Sequence, residues 1–391
     1  MYLKNSAIIL VLAIVYLPLH AEEKSILSNN KLNLFKYDKQ QNIQESEKLK
    51  KDWINSIDLN YSKTFTDTYD TTKSMVTIDQ PIFKSGVIYN AIKYAYANLE
   101  YNQISIELKK KELIKTATKL LFELHIADLN IAKNKLLLKN ADIDIIRKKE
   151  QVFNGFLDTS YLNNAILDAN KIKNTIAEIY HQKEELSNNF FSIASDDYKN
   201  LKLPKLKLTQ KKYFIEKNIK LAKAKADIYQ KKYLKNITIA KYLPTINATL
   251  KYEKYHDTDN NPFLQEDSNT EYGLYINIPI NFKAFNDIEA EKINYLKAKL
   301  NLTDKVLEEE NFYKTKISKI KMLIRKKQIA KNDYTLYDSL IEIILEEKKA
   351  ELKTQSDVDT LINSQQIKSI DIHIYNLEEQ IELFEIYSKI T

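Results

Sequence analysis

The chain almost lacks the residues that stop a helix. Its 391 residues include three glycines and six prolines, where an average chain carries about 12% of the two together. Neither residue occurs between Gly86 and Gly155, nor anywhere from Ile280 to Thr391. Glycine supplies the positive φ of tight turns, and proline breaks the helical hydrogen-bond ladder. Stretches without either therefore run on as single elements. Inside them the apolar residues recur at helical spacing, as in Leu113, Ala117, Leu120, Leu121, Leu124, Ala127 and Ile131. A helix from Val87 to Val152 would be about 100 Å long. A compact domain has no use for such a length, whereas a coiled-coil rod or tube does.

The absence of cysteine excludes disulfides, thiol catalysis, Cys-ligated zinc and a lipidated N-terminal cysteine. Sixty basic against 53 acidic side chains leave a net charge of +7, spread along the chain rather than gathered in a block. Nucleic-acid binding is not expected from that distribution. Lys4, the apolar run Ala7 to Leu19 and the small-residue site at Leu19-His20-Ala21 read as a secretory signal over residues 1–21. That run is too short to cross a bilayer, which takes roughly 20 residues, although an uncleaved anchor is the alternative. Lys and Glu interrupt every later apolar run, so a membrane location would require a β-barrel.

Four segments alternate with period two, as a strand with one apolar face does. The first sets Ile57, Leu59 and Tyr61 against Asp58, Asn60 and Ser62, and the second sets Val76, Ile78 and Ile82 against Thr77 and Asp79. The third has Ile246, Ala248, Leu250 and Tyr252 against Asn247, Thr249, Lys251 and Glu253. The fourth runs through Tyr272, Leu274, Ile276, Ile278 and Ile280. Polar, Asp-rich loops join each pair. A soluble hairpin with one buried face would alternate in the same way. Four strands are too few to close a membrane barrel, the smallest of which has about eight; three copies would supply twelve.

The order strand, strand, long helix, tip and return helix occurs twice. Gln80-Pro81-Ile82-Phe83 leads into the first long helix, and Ile278-Pro279-Ile280-Asn281-Phe282 into the second. The interruptions at 157–169 and 354–366 follow at matching distances, with Ser160 set against Asp357 in nearly the register of the two prolines. Duplication explains one offset kept at two places.

These segments resemble the TolC family of outer-membrane efflux proteins over nearly the whole mature chain. The resemblance rests on QPIFKSG at 80–86 (Gln80, Pro81, Gly86), the tip FNGFLDTSYLNNA at 153–165 (turning at Gly155) and YLPTINATLKY at 242–252. It continues in EYGLYINIPI at 271–280 with Pro279, and in the tip SDVDTLINSQQ at 356–366, turning at Ser356. Lys283-Ala284-Phe285-Asn286 replaces the glycine usual after the second strand-to-helix motif, and Trp53 stands where proline is frequent.

The family implies an α+β membrane protein: long antiparallel helical hairpins plus four strands per chain, trimerising into a 12-stranded barrel on a periplasmic helical tunnel. The expected organisation is a signal at 1–21, an N-terminal periplasmic helical segment at 22–52 and barrel strands at 53–85. A first hairpin and linker at 86–208, a helix at 209–243, strands at 244–282 and a second hairpin at 283–391 complete it. The implied partners are two further copies, outer-membrane lipid, a periplasmic adaptor and an inner-membrane pump of the RND or ABC type. Drug efflux, metal efflux and type I secretion all use such a duct. A periplasmic coiled-coil structural or adaptor protein without a pore is the rival reading. Adaptors usually add Gly-rich domains, which three glycines do not favour.

By the same resemblance, acidic residues at the inner tips form the periplasmic constriction. Asp357 falls on one such position, Thr360 on the next, and Asp359 lies one residue before it. Rings of three carboxylates would repel one another and favour cations. Alternatively, Asp357 only starts the final helix as a cap or first-turn acid. The family's closed-state latch maps onto Lys353 with Thr159 and Ser160 as acceptors; Lys348 stands where a tyrosine is found. Otherwise Lys353 is a solvated lysine. His125, His181, His256 and His373 lack ligand spacing, and no cofactor is expected. Tyr61, Tyr69, Tyr252, Tyr255, Tyr272 and Tyr275, near strand ends, are candidates for an interfacial girdle. No phosphate loop, serine elbow or catalytic carboxylate pair appears, so no enzymatic activity is expected.

Overall fold

A computed structural model describes residues 26–67, 70–194, 196–256 and 267–391. The signal at 1–21 and Tyr69 lie outside the described residues. In chain order come α1 (Asn29–Lys51), β1 (Ile57–Thr64), β2 (Thr71–Lys84), α2 (Val87–Phe153) and α3 (Thr159–Phe191). A 3-10 turn (Tyr198–Asn200), α4 (Lys211–Glu216), α5 (Ile219–Ala240), β3 (Thr245–Tyr255) and β4 (Ser268–Asn277) follow. The chain ends in α6 (Ala284–Lys349) and α7 (Gln355–Tyr387).

The long helices contain 67 and 66 residues, and their return helices 33 each. Near-equal lengths in the two halves bear out the duplication. Each return helix reaches only half-way along its partner, and a separate helix continues its line. Ser28 N–H donates to Ile193 O at 2.9 Å beside a Leu27–Ala194 bridge, setting the start of α1 against the end of α3. Ile219 N–H donates to Lys389 O at 2.9 Å beside an Asn218–Ile390 bridge, setting α5 against the end of α7 in the same way. The molecule is therefore a wall four helices wide, ordered α1–α2–α5–α6 in the half nearer the sheet and α3–α2–α7–α6 in the other.

Both junctions are packed with apolar side chains. Leu121, Leu124, Phe190, Ala194 and Tyr198 form one cluster, and Phe214, Tyr313, Ile320, Leu383, Ile386 and Ile390 the other. His125 packs edge-on against Tyr198 at the first. At the second, buried Glu309 accepts from Lys389 Nζ at 2.9 and 3.0 Å and from Asn218 Nδ2 at 3.0 Å. Asn218 Oδ1 in turn accepts from the N–H groups of Lys220 and Leu221, at 2.9 and 3.3 Å. This cap splits the expected helix at 209–243 into α4 and α5, because an Asn at an N-cap starts a new helix.

The four strands form one antiparallel meander in the order β1-β2-β3-β4. Pro81 is tolerated inside β2 because the register shifts between Pro81 and Phe83 in a bulge. β4 stops at Asn277, short of the alternation that continued to Ile280. Pro279 has no N–H to extend the ladder.

Candidate functional site

Directly opposed residues of an antiparallel sheet share a face, so the register assigns every strand side chain to one of two surfaces. One surface carries the rows Ile57–Ile78–Leu250–Tyr272 and Leu59–Val76–Tyr252–Thr270. It is left open to the outside: Leu59 is 75% exposed, Leu274 69% and Tyr272 82%. The opposite surface is polar and internally bonded. Lys73 Nζ lies 2.8 Å and Lys251 Nζ 3.2 Å from the buried Glu253 carboxylate, and Asn247 Nδ2 donates to Asp79 Oδ1 at 3.1 Å. A soluble sheet hides its apolar face against a core, whereas this sheet leaves that face uncovered. The outer edges of β1 and β4 carry no strand partner among the described residues.

At the far end of the helices the two tips share one geometry. α2 ends with Gly155 at φ 73°, its N–H donating to Val152 O and the Phe156 N–H to Gln151 O. α6 ends with Glu351 at φ 61°, its N–H donating to Lys348 O and the Leu352 N–H to Glu347 O. This 6→1, 5→2 closure requires a left-handed residue, normally glycine. The second repeat makes it with a glutamate. Glu351 thus corresponds to Gly155 and Thr354 to Asp158, which makes Ser356 the counterpart of Ser160. The alignment of Ser160 with Asp357 is one residue out. Asp158 and Thr354 start the return helices, Asp158 Oδ1 accepting from Ser160 N–H at 2.8 Å.

Asp357 is doubly engaged. Its Oδ2 accepts from the Thr354 N–H at 3.0 Å and hydroxyl at 2.9 Å, completing a capping box. Its Oδ1 accepts from Arg147 Nη2 at 2.6 Å. The Thr354 backbone and hydroxyl bonds, then Arg147 and Lys353, hold this carboxyl below the ordinary aspartate range against the opposing effect of partial burial. Asp359 accepts from Gln355 Nε2 at 2.6 Å, and the Thr360 hydroxyl donates to Ser356 O at 2.7 Å. Lys353 makes no hydrogen bond or ion pair with Thr159 or Ser160 among the described residues, and Lys348 reaches Gln355. At the other end of the helices, Gln80 brackets Asn55, donating to its carbonyl and accepting from its N–H at 3.0 Å. Gly86 holds φ 86° ahead of α2, and Pro279 lies in the extended link to α6.

Arg147 belongs to a longer pattern. Lys133 Nζ is 2.7 Å from Asp371 Oδ1. Seven residues on, Asn140 Nδ2 lies 3.3 Å from Ser364 Oγ and from Thr360 O, and Asn140 Oδ1 accepts from Asn363 Nδ2 at 2.8 Å. Seven further on is Arg147, facing Asp357. Positions 133, 140 and 147 of α2 thus meet 371, 364 and 357 of α7, antiparallel and in heptad register. A polar seam therefore runs along the boundary between the two hairpins, with Lys133 and Arg147 of α2 facing Asp371 and Asp357 of α7 on either side of the neutral Asn140–Ser364 pair. Sequence reading missed Arg147, although a signal was present: it is one of only two arginines, with Arg325, among 60 basic residues.

Among the described residues no helix is long and apolar enough to cross a membrane. No family model and no curated protein matches the sequence. Solved structures do match: the outer membrane protein VceC of Vibrio cholerae superposes with a TM-score of 0.75 at 11% identity, over 93% of each chain. The CmeC outer membrane channel of Campylobacter jejuni gives 0.71 at 15%, covering 92% of this chain and 84% of its own. The MtrE outer membrane channel of Neisseria gonorrhoeae, in its open state, gives 0.68 at 11%, covering 92% and 86%. The fold is that of the outer-membrane channels, as the resemblance to the TolC family implied.

Proposed function

We propose that the chain is one third of a passive outer-membrane exit duct. The observation that carries this reading is the pair of open edges. Among the described residues the sheet is unpaired at β1 and β4, and the helical wall is unpaired at α1/α3 and at α6, where Leu300, Leu307, Ile329 and Leu336 are 60% exposed or more. A meander of four strands places β1 antiparallel to the β4 of a neighbour, so three copies close a 12-stranded barrel with no edge left over. The uncovered apolar face of the sheet then meets lipid outward and the polar face meets water inward. The helices, about 100 Å long, carry the tube into the periplasm of a Gram-negative cell.

Such a duct needs a lumen and a gate and no catalytic group. The gate in this reading is the tip of α7, with Asp357, Asp359 and Thr360 at the constriction and the Arg147–Asp357 bond holding it shut. A periplasmic adaptor and an inner-membrane pump would deliver the cargo. Planar-bilayer conductance and cross-linking test the proposal together. The chain has no cysteine, so single cysteines placed in β1 and in β4 should form a ladder that stops at three. A soluble periplasmic monomer without conductance would refute the duct and leave a coiled-coil structural protein.

A further inference from the structure

The open apolar surface of the sheet is not uniform. Its helix-side rows are apolar, with Ile246 opposite Ile276 and Leu250 opposite Ile78 and Tyr272. Its loop-side rows change character: Tyr61 opposes Ser74, which opposes Lys254, and Lys63 opposes Thr72. His256 follows Lys254 on this face, its Nε2 2.8 Å from Ser74 Oγ and its ring 6.1 Å from that of Tyr61. Lys63 stands over the exposed Phe65 ring at 5.1 Å. The helix-side margin has no such basic rows.

The two faces of the sheet treat their cations differently. On the polar face Lys73 and Lys251 are neutralised by the buried Glu253. On the apolar face Lys63 and Lys254 are exposed, and neither is in an ion pair among the described residues. An unneutralised basic row bordering an apolar surface complements an amphiphile with an anionic head. Such an amphiphile would set its acyl chains against Leu59, Val76 and Leu250 and its head against Lys63, Lys254 and His256. Two strand spacings separate β1 from β3, roughly 10 Å, a span that two lysine stems bridge onto one headgroup.

We propose that this margin binds the phosphate headgroup of a lipid in the outward leaflet. The inference rests on the barrel reading, because only a membrane-embedded sheet presents this face to lipid. The test uses the full-length protein reconstituted into vesicles of phosphatidylcholine alone or mixed equally with phosphatidylglycerol. The protein is then re-extracted in a neutral detergent, and retained lipid is read by native mass spectrometry. Wild type should retain phosphatidylglycerol preferentially. Lys63→Gln with Lys254→Gln should lower that preference by about 30-fold, as expected for two lysines at an anionic surface. Lys251→Gln, on the polar face, should leave it intact, and both variants should insert as wild type does.

Equal retention by wild type and the double variant would overturn the proposal, as would an equal loss in Lys251→Gln. Complete displacement by inorganic phosphate would also overturn it, since the site would then take a free anion rather than a lipid. Insertion and conductance without selective retention would refute the lipid site alone. Failure of wild type to insert into either vesicle would refute the barrel and the lipid site with it.

Discussion

Arg147 of α2 donates to Asp357 of α7 at 2.6 Å, at the tip end of a polar seam that Asn140 and Lys133 continue in heptad steps. The pair joins the two hairpins near their turns. A movement of α7 that widened the tip would separate Arg147 from Asp357 before it disturbed the apolar junctions half-way along the wall.

Arg147→Ala removes the seam contact and leaves the capping box of α7 in place. The pair is partly solvated, so the loss is about 0.2–1 kcal/mol, up to about fivefold in the ratio of open to closed channels. Asp357→Ala removes the seam contact and the carboxylate half of the capping box, Thr354 still capping the residue-357 N–H, and should lower thermal stability more than Arg147→Ala does. Single-channel recording on both variants and the double variant gives the coupling. An unchanged open probability in Arg147→Ala would remove the pair from the gate.

Asp357 also sets a pH limit. Its carboxyl titrates below the ordinary aspartate range because Thr354, Arg147 and Lys353 favour the ionised form. A carboxyl lowered in the folded state contributes stability at pH values above its unfolded pKa. That contribution is lost as pH falls through the lower folded value. The seam should therefore hold unchanged from pH 7 to 5 and loosen only below about pH 4. Conductance recorded across that range checks it, and Asp357→Asn should abolish the acid limb.

Glu309→Ala leaves Lys389 buried against the Phe312 ring without its carboxylate. Burial already pulls the Lys389 ammonium below the ordinary lysine range, against the attraction of Glu309. Breaking a buried pair from one side costs about 3–5 kcal/mol, while Asp168→Ala, in the exposed pair with Lys171, should cost at most about 1 kcal/mol. Thermal unfolding of the two variants should rank them in that order.

Gly155→Ala should destabilise by about 1 kcal/mol through its positive φ alone, since nothing lies within 4 Å of the added Cβ. Glu351→Gly should do the reverse, by a smaller amount because glycine also loosens the unfolded chain. If both variants melt as wild type, the left-handed turns are not what holds the tips.

Much of the fold was legible because its devices are local. Breaker-free stretches make long helices wherever apolar spacing follows, and period-two segments make strands with distinct faces. The split at Asn218 could have been read from its capping chemistry. The tip equivalence was harder to find, because Glu351 occupies a left-handed position with no glycine to mark it. Side-chain identity alone therefore sets the two tips one residue out of register.

The sequence by itself determined the elements, their order, their duplication and which strand side chains are apolar, since each follows from backbone preference and periodicity within a short window. Only the tertiary structure decided which elements lie side by side. It joined α1 to the end of α3 and α5 to the end of α7, and it paired β2 with β3 across the whole first hairpin. It also brought Lys133, Asn140 and Arg147 opposite Asp371, Ser364 and Asp357. Those partners are more than 200 residues apart, and no local preference carries information over that distance. Packing of two long helices in one register does, because setting one pair sets every seventh residue along the seam.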